Sequence, residues 1–200
     1  MSVAKVEGAR RGRPRLESTD QAIFTAAAEL IGERGYDGFS MAAVADRAGV
    51  AKTTVYRRWP TRSHLALETM TSVMRVSLLD SGDLRADLLC FARTLAAALR
   101  QPGTRRLIAE LTLASIQRPE LAGAFQRLFL QRRIDAQATI DRARSKGELR
   151  GGVDRELLID QIAGPLYYRA LLAADGPADA YAEDLVDAVL EGALAPRSDI

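Results

Sequence analysis

Ser40 to Trp59 reads SMAAVADRAGVAKTTVYRRW, and two short helices joined by a tight turn account for its spacing. Met41, Val44 and Ala45 keep one apolar face through a first helix. Ala48-Gly49-Val50 supplies the turn, its glycine able to take a left-handed backbone, and a second helix is expected from about Ala51. Unrolled at 100° per residue, that second helix puts Val55 and Trp59 on one face and Thr53 and Arg57 nearly opposite, flanked by Thr54 and Tyr56. The outward side therefore carries hydroxyls, a phenol and a guanidinium, with no acid among them. Such groups donate to phosphate oxygens and base edges, as a DNA recognition helix requires. Small helical domains of other functions share this geometry, so the flanking sequence has to decide.

The run from Asp20 to Leu65 resembles the amino-terminal domain of the TetR (tetracycline repressor) family of bacterial transcription regulators. The resemblance rests on Gly35-Tyr36-Asp37-Gly38-Phe39, the Ser40 start, Ala48-Gly49-Val50, Lys52, Thr54, Tyr56, Trp59, Arg62 and Leu65. Departures are few. Ala51 stands where the family usually caps the recognition helix with serine, Thr53 where glycine is common, Arg57 where histidine is common, and Trp59 where phenylalanine is usual. The missing cap should cost about 1 kcal/mol of local helix stability. Thr53 and Arg57 change the reading face, so the binding mode carries over from relatives and the sequence preference does not. The expected base readers are Thr53 and Arg57. Ser40, Thr54, Tyr56 and Arg62 are expected on phosphates, and Lys52 on either.

Upstream, residues 1–17 hold Lys5, Arg10, Arg11, Arg13 and Arg15 against Glu7 and Glu17, with Gly8, Gly12 and Pro14 opposing a helix. This reads as a flexible basic arm. Arg13 and Arg15 would lie in an A·T-rich minor groove, or the arm would serve as a solubilising tail touching only phosphate. Ser18 to Gln21 offers a capping box, followed by Ile23, Phe24, Ala27, Leu30 and Ile31 at helical spacing until Gly35. Downstream, Pro60 ends the recognition helix and a connecting helix begins at Thr61 or Ser63, with Arg62 in its first turn. The expected division is a basic arm over 1–17, a helix-turn-helix domain over 18–62 and a helical ligand-binding and dimerisation domain over 63–200.

From Asp83 onward the pattern is helix broken by punctuation, over about 84–100, 104–117, 119–146, 154–174 and 178–194. No strand pattern competes, so the fold class is all-α. The last two helices are apolar beyond one stripe, with Leu157, Leu158, Ile162, Leu166, Leu171 and Leu172 on the first. A second apolar face predicts a homodimer built as a four-helix bundle, which would set two recognition helices on a palindromic operator. The alternative is a two-helix cap on the chain's own core. Gly164-Pro165-Leu166-Tyr167-Tyr168-Arg169 resembles a pattern from one branch of the TetR family. That resemblance implies a pocket for a small-molecule effector, with Phe91, Leu95, Leu107, Leu111, Phe125, Phe129 and Tyr168 as candidate lining and Tyr168, Gln161 or Arg132 as polar contacts. An apolar lining favours a hydrophobic or amphipathic effector. Cys90 is expected to be a small buried hydrophobe.

Composition agrees with a soluble globular chain: 200 residues, 48% hydrophobic, 27% charged, formal net charge +2. Residues 1–65 hold 11 Lys and Arg against 7 Asp and Glu, and the remainder 17 against 19. The basic excess thus sits with the motif, as a polyanion partner would favour. One cysteine and one histidine exclude an intrachain disulfide and an ordinary Cys/His zinc site, and no cofactor is expected. The sequence carries neither a secretory h-region nor an 18-residue apolar run, which predicts a cytoplasmic protein. Enzyme chemistry is poorly supported: His64 and Cys90 are far apart in sequence and no Gly-rich phosphate loop precedes a helix. The remaining alternatives to a ligand-released repressor are a nonspecific DNA binder and a scaffold.

Overall fold

The computed structural model describes residues 13–193 apart from 75, 77, 174 and 175; the side chains of residues 13–17, 120, 124, 128, 131–133 and 135 fall outside that description. The described residues form α1 (Arg13–Gly38), α2 (Met41–Ala48), α3 (Lys52–Arg58), α4 (Arg62–Val73), α5 (Leu84–Arg100), α6 (Pro102–Gln117), α7 (Pro119–Ser145), α8 (Arg155–Leu171) and α9 (Asp179–Ala193). No β-strand longer than a single bridge residue occurs among them.

Helix α1 begins five residues before the expected Ser18 start, because Pro14 lies in its first turn, where the missing N–H breaks no intrahelical bond. Ser18 therefore lies inside the helix and not at its start. The rest of the expected arm, including Lys5, Arg10 and Arg11, lies outside the described residues. The helix is interrupted at Gly35, whose φ of 70° and ψ of 172° suit only glycine. Space reinforces the choice, since a Cβ there would sit 2.9 Å from Oε2 of Glu110.

Ile23, Ala27, Leu30 and Ile31 of α1 join Phe39, Val44, Val55, Trp59 and Leu65 in one core that holds α2 and α3 against α1. Phe24 meets the Trp59 ring edge-on at 5.4 Å. The same core continues through Met70, Met74, Val76 and Leu78 into Leu88, Leu95, Leu99, Leu107 and Leu111. Helix α4 ends at Val73, so Met74, Val76 and Leu78 are buried from the connecting segment and not from a longer helix. That segment is pinned to α7: Thr139 donates from Oγ1 to the Leu79 carbonyl at 2.7 Å, and Arg142 donates from Nε to Asp80 at 2.5 Å and from Nη2 to Asp87 at 3.2 Å. Asp87, buried, also accepts from the Ser81 N–H at 3.0 Å.

Helices α5 and α9 run antiparallel and are laced by charge. Arg85 forks onto Asp187 at 2.7 and 2.8 Å, Arg93 reaches Glu183 at 2.9 Å, and Arg100 reaches Asp179 at 2.7 Å. Cys90 is exposed on α5 and is not the buried hydrophobe its residue type suggested. Leu88 and Phe91 take the inward phases beside it.

Candidate nucleic-acid interface

Helices α2 and α3 meet through Gly49, left-handed at φ 67° and ψ 31°, whose N–H closes the end of α2 on the Ala45 and Asp46 carbonyls. Ser40 caps the start of α2 by accepting from the Ala43 N–H at 3.2 Å. Its hydroxyl hydrogen is not used in that bond and can still donate. Ala51 precedes α3 in an extended conformation and offers no side-chain cap, as expected from the missing serine.

On α3 only Val55 is buried, with Trp59 buried just after it. Lys52, Thr53, Tyr56 and Arg57 are exposed and Thr54 is half-buried. The helix thus presents a basic and hydroxyl-bearing face with no carboxylate. Arg58 turns the other way and pairs with Asp20 of α1. Arg47 forks onto Glu33 at 2.8 Å through both terminal nitrogens, tying α2 to α1. The Glu33 carboxyl is held below its ordinary value by the Arg47 hydrogen bond, against a smaller opposing effect of desolvation. The Trp59 indole N–H donates to Glu68 Oε2 at 2.7 Å, and Glu68 Oε1 lies 3.0 Å from His64 Nε2. These partners lie on α4, so the recognition helix is anchored at its far end.

Arg62 is differently placed from a free phosphate ligand. Its Nη1 donates to the Asp37 carbonyl at 3.2 Å, and its guanidinium lies 4.5 Å over the Tyr36 ring. Sequence alone did not disclose this, because both partners belong to a segment 23 residues or more upstream. Arg13 and Arg15 lie in the first turn of α1, with their side chains outside the described residues.

The candidate effector residues divide. Phe91, Leu95, Leu107 and Leu111 are buried in the common core. Phe125 and Phe129, half-buried, meet as a tilted pair at 5.2 Å and border a cleft of about 490 Å³ with Gly123, Gln126, Arg127 and Leu130. Tyr168 is 60% exposed and is not among the residues bordering that cleft. Leu166 takes the inward phase on α8, so Tyr168, two residues on, faces outward. The neighbour Tyr167 turns inward instead: its ring meets Phe129 at 6.3 Å, and its hydroxyl lies 3.9 Å from the Met74 sulfur. Arg132 lies outside the described side chains, and Gln161 is exposed on the outer face of α8.

Residues 23–69 match the family model for bacterial regulatory proteins of the tetR family, and residues 78–189 match that for the tetracyclin repressor-like C-terminal domain. Over 190 residues the chain is 36% identical to the uncharacterized HTH-type transcriptional regulator YdeS of Bacillus subtilis (strain 168), covering 93% of this chain and 95% of that one. It is 34% identical over 182 residues to the DNA-binding transcriptional repressor TetR of Mycobacteroides abscessus, covering 87% and 93%. The crystal structure of the TetR family transcription regulator SCO0332 superposes with a TM-score of 0.66 at 32% identity, over 90% of this chain and all of that one. These relatives are transcription regulators and not enzymes. No helix among the described residues is long and apolar enough to cross a membrane.

Proposed function

The chain belongs to the tetR family of bacterial regulatory proteins, and on that premise we propose a repressor that binds a palindromic operator as a homodimer and is released by a small hydrophobic or amphipathic ligand. The observation that carries the DNA reading is the face of α3, where Lys52, Thr53, Tyr56 and Arg57 are all exposed and none is acidic. Thr53 and Arg57 read bases; Ser40, Thr54 and Tyr56 hold phosphates; Lys52 serves either. Arg62 contributes through the backbone N–H groups at the start of α4, its side chain being engaged by Tyr36 and Asp37. Arg13 and Arg15 add positive charge to the same DNA from the start of α1. Residues 18–62 form the DNA-binding unit and 63–200 the effector and dimerisation unit.

Support for the dimer comes from α8. Leu157, Gln161, Tyr168, Leu171 and Leu172 share one exposed face, and beside it Leu157, Leu158, Ala188, Val189 and Gly192 border an open groove of about 400 Å³. A second copy packing there gives the two-fold axis that paired half-sites require. The effector site is the aromatic cleft of α7 with Phe125, Phe129 and the adjoining Tyr167, a lining suited to an apolar ring or chain.

The test is selection of binding sites from a random duplex library with purified protein at near-physiological salt. A palindrome is the expected outcome, and it supplies the probe for screening small-molecule pools for release. Absence of any enriched sequence from folded protein would favour a nonspecific DNA binder, whose affinity falls alike on all DNA as salt rises.

A further inference from the structure

The end of α1 is gripped from both halves of the chain. Arg118, in the junction between α6 and α7, donates from Nη2 to both carboxylate oxygens of Asp37, at 2.5 and 2.7 Å, and its guanidinium lies 5.3 Å from the Tyr36 ring centre. Arg62, at the start of α4, lies over the same ring at 4.5 Å and reaches Asp37 at 3.9 Å. The Tyr36 hydroxyl, 2.9 Å from Ser63 Oγ, closes the set. Two guanidinium groups thus share one aromatic ring and one carboxylate, so neither can shift without changing the other's partner.

This cluster sits where the two halves of the chain meet. Arg118 is the residue before α7, and Phe125 and Phe129 follow on that helix, the first roughly 10 Å along its axis. A polar surface cleft of about 430 Å³ lies beside the cluster, bordered by Gly35, Asp37, Glu110, Gln117 and Arg118. Gly35, non-helical beside it, separates the body of α1 from the gripped segment. On the other side, α4 carries Glu68, which holds Trp59 at the end of the recognition helix.

We propose that Arg118, through Asp37 and Tyr36, is the positioning residue that sets the orientation of the DNA-binding helices against the effector half, so that displacement of the start of α7 reaches α3 by way of Arg62 and α4. This rests on the regulatory reading above for its consequence on DNA, and on geometry alone for the joint itself. Asp37 is 72% exposed and the ion pair lies near the surface, so it contributes little to global stability; its effect is on orientation.

The test uses the full-length chain with Asp46→Cys on α2 and the native, exposed Cys90 on α5 as spin-label sites, diluted with unlabelled protein. Without DNA, Arg118→Ala should broaden the α2 to α5 distance distribution while the unfolding midpoint stays close to the parent's. An unchanged distribution overturns the proposal whatever the chain binds. With the selected operator, Arg118→Ala should lose about fivefold or more in affinity. The double variant Asp37→Ala/Arg118→Ala should lose no more than Arg118→Ala alone, and Arg118→Lys should recover part of the loss. Additive losses, or losses that only track the folded fraction, overturn it. A broadened distribution in a protein that selects no operator keeps the joint and removes only the DNA reading.

Discussion

Arg58, the last residue of the recognition helix, is turned back onto Asp20 of α1, although its neighbour Arg57 is exposed. Two adjacent arginines thus have opposite duties, one holding the helix and the other facing outward. The Arg58 side chain is only 19% exposed, so removing its partner leaves a largely desolvated guanidinium. Asp20→Asn should lower stability by about 1–2 kcal/mol in urea unfolding, and Arg58→Met should restore part of that loss when added to it. Equal losses from the double and single variants would refute the pairing.

Arg57 should behave otherwise. Arg57→Ala is expected to leave unfolding unchanged but relax base preference at one position per half-site, by about 1–3 kcal/mol. Tyr56→Phe should weaken all sequences similarly, because a phosphate contact carries no base information. Parallel binding titrations on operator, singly substituted operator and random duplex separate the two effects.

The start of α3 is a place where stability can be added. Ala51 holds the extended backbone of a cap residue but has no oxygen to receive an orphan N–H. Ala51→Ser should stabilise the protein by about 0.5–1 kcal/mol, and Ser40→Ala, which deletes the working cap of α2, should cost a similar amount or more. Both are read in urea midpoints at constant slope.

These contrasts show where sequence reasoning reached and where it stopped. Periodicity placed α5, α6 and α7 within two residues at each end, because an apolar stripe and its Pro or Gly punctuation are local properties. The outward face of α3 was legible for the same reason. Arg118 with Asp37, 81 residues apart, was not, because nothing local in either residue names its partner. Tyr167 and Tyr168 are adjacent and alike, and only the phase fixed by Leu166 tells which ring meets Phe129. The early start of α1 is not legible from Pro14, which breaks a helix interior but is tolerated in a first turn.

Acid should weaken the protein through identifiable pairs. Asp187 is held below its ordinary carboxyl value by the Arg85 hydrogen bond, and Glu33 by that of Arg47. Both bind protons less readily folded than unfolded. Their contribution is therefore complete above the unfolded values, near 3.8 and 4.5, and is lost as pH falls through the lower folded ones. Urea midpoints should fall between about pH 5 and pH 3. Asp187→Asn combined with Glu33→Gln should flatten that slope, and an unchanged slope would place the acid sensitivity elsewhere.

The outer face of α8 tests assembly. Leu157 and Leu172 are 54% and 76% exposed and lie at opposite ends of one apolar strip that passes Gln161, Gly164 and Tyr168. Neither side chain is needed by the chain's own core, so Leu157→Arg and Leu172→Arg should fold with unchanged helical content. In a paired interface each charge meets its own symmetry mate's surroundings without a counter-charge, a cost repeated across the two-fold axis. Sedimentation should then show the parent as a dimer and Leu157→Arg/Leu172→Arg as a monomer. The monomer should also lose binding to a two-half-site operator far more than to a single half-site, since only the dimer joins both events in one. A double variant that remains dimeric would move the interface off α8.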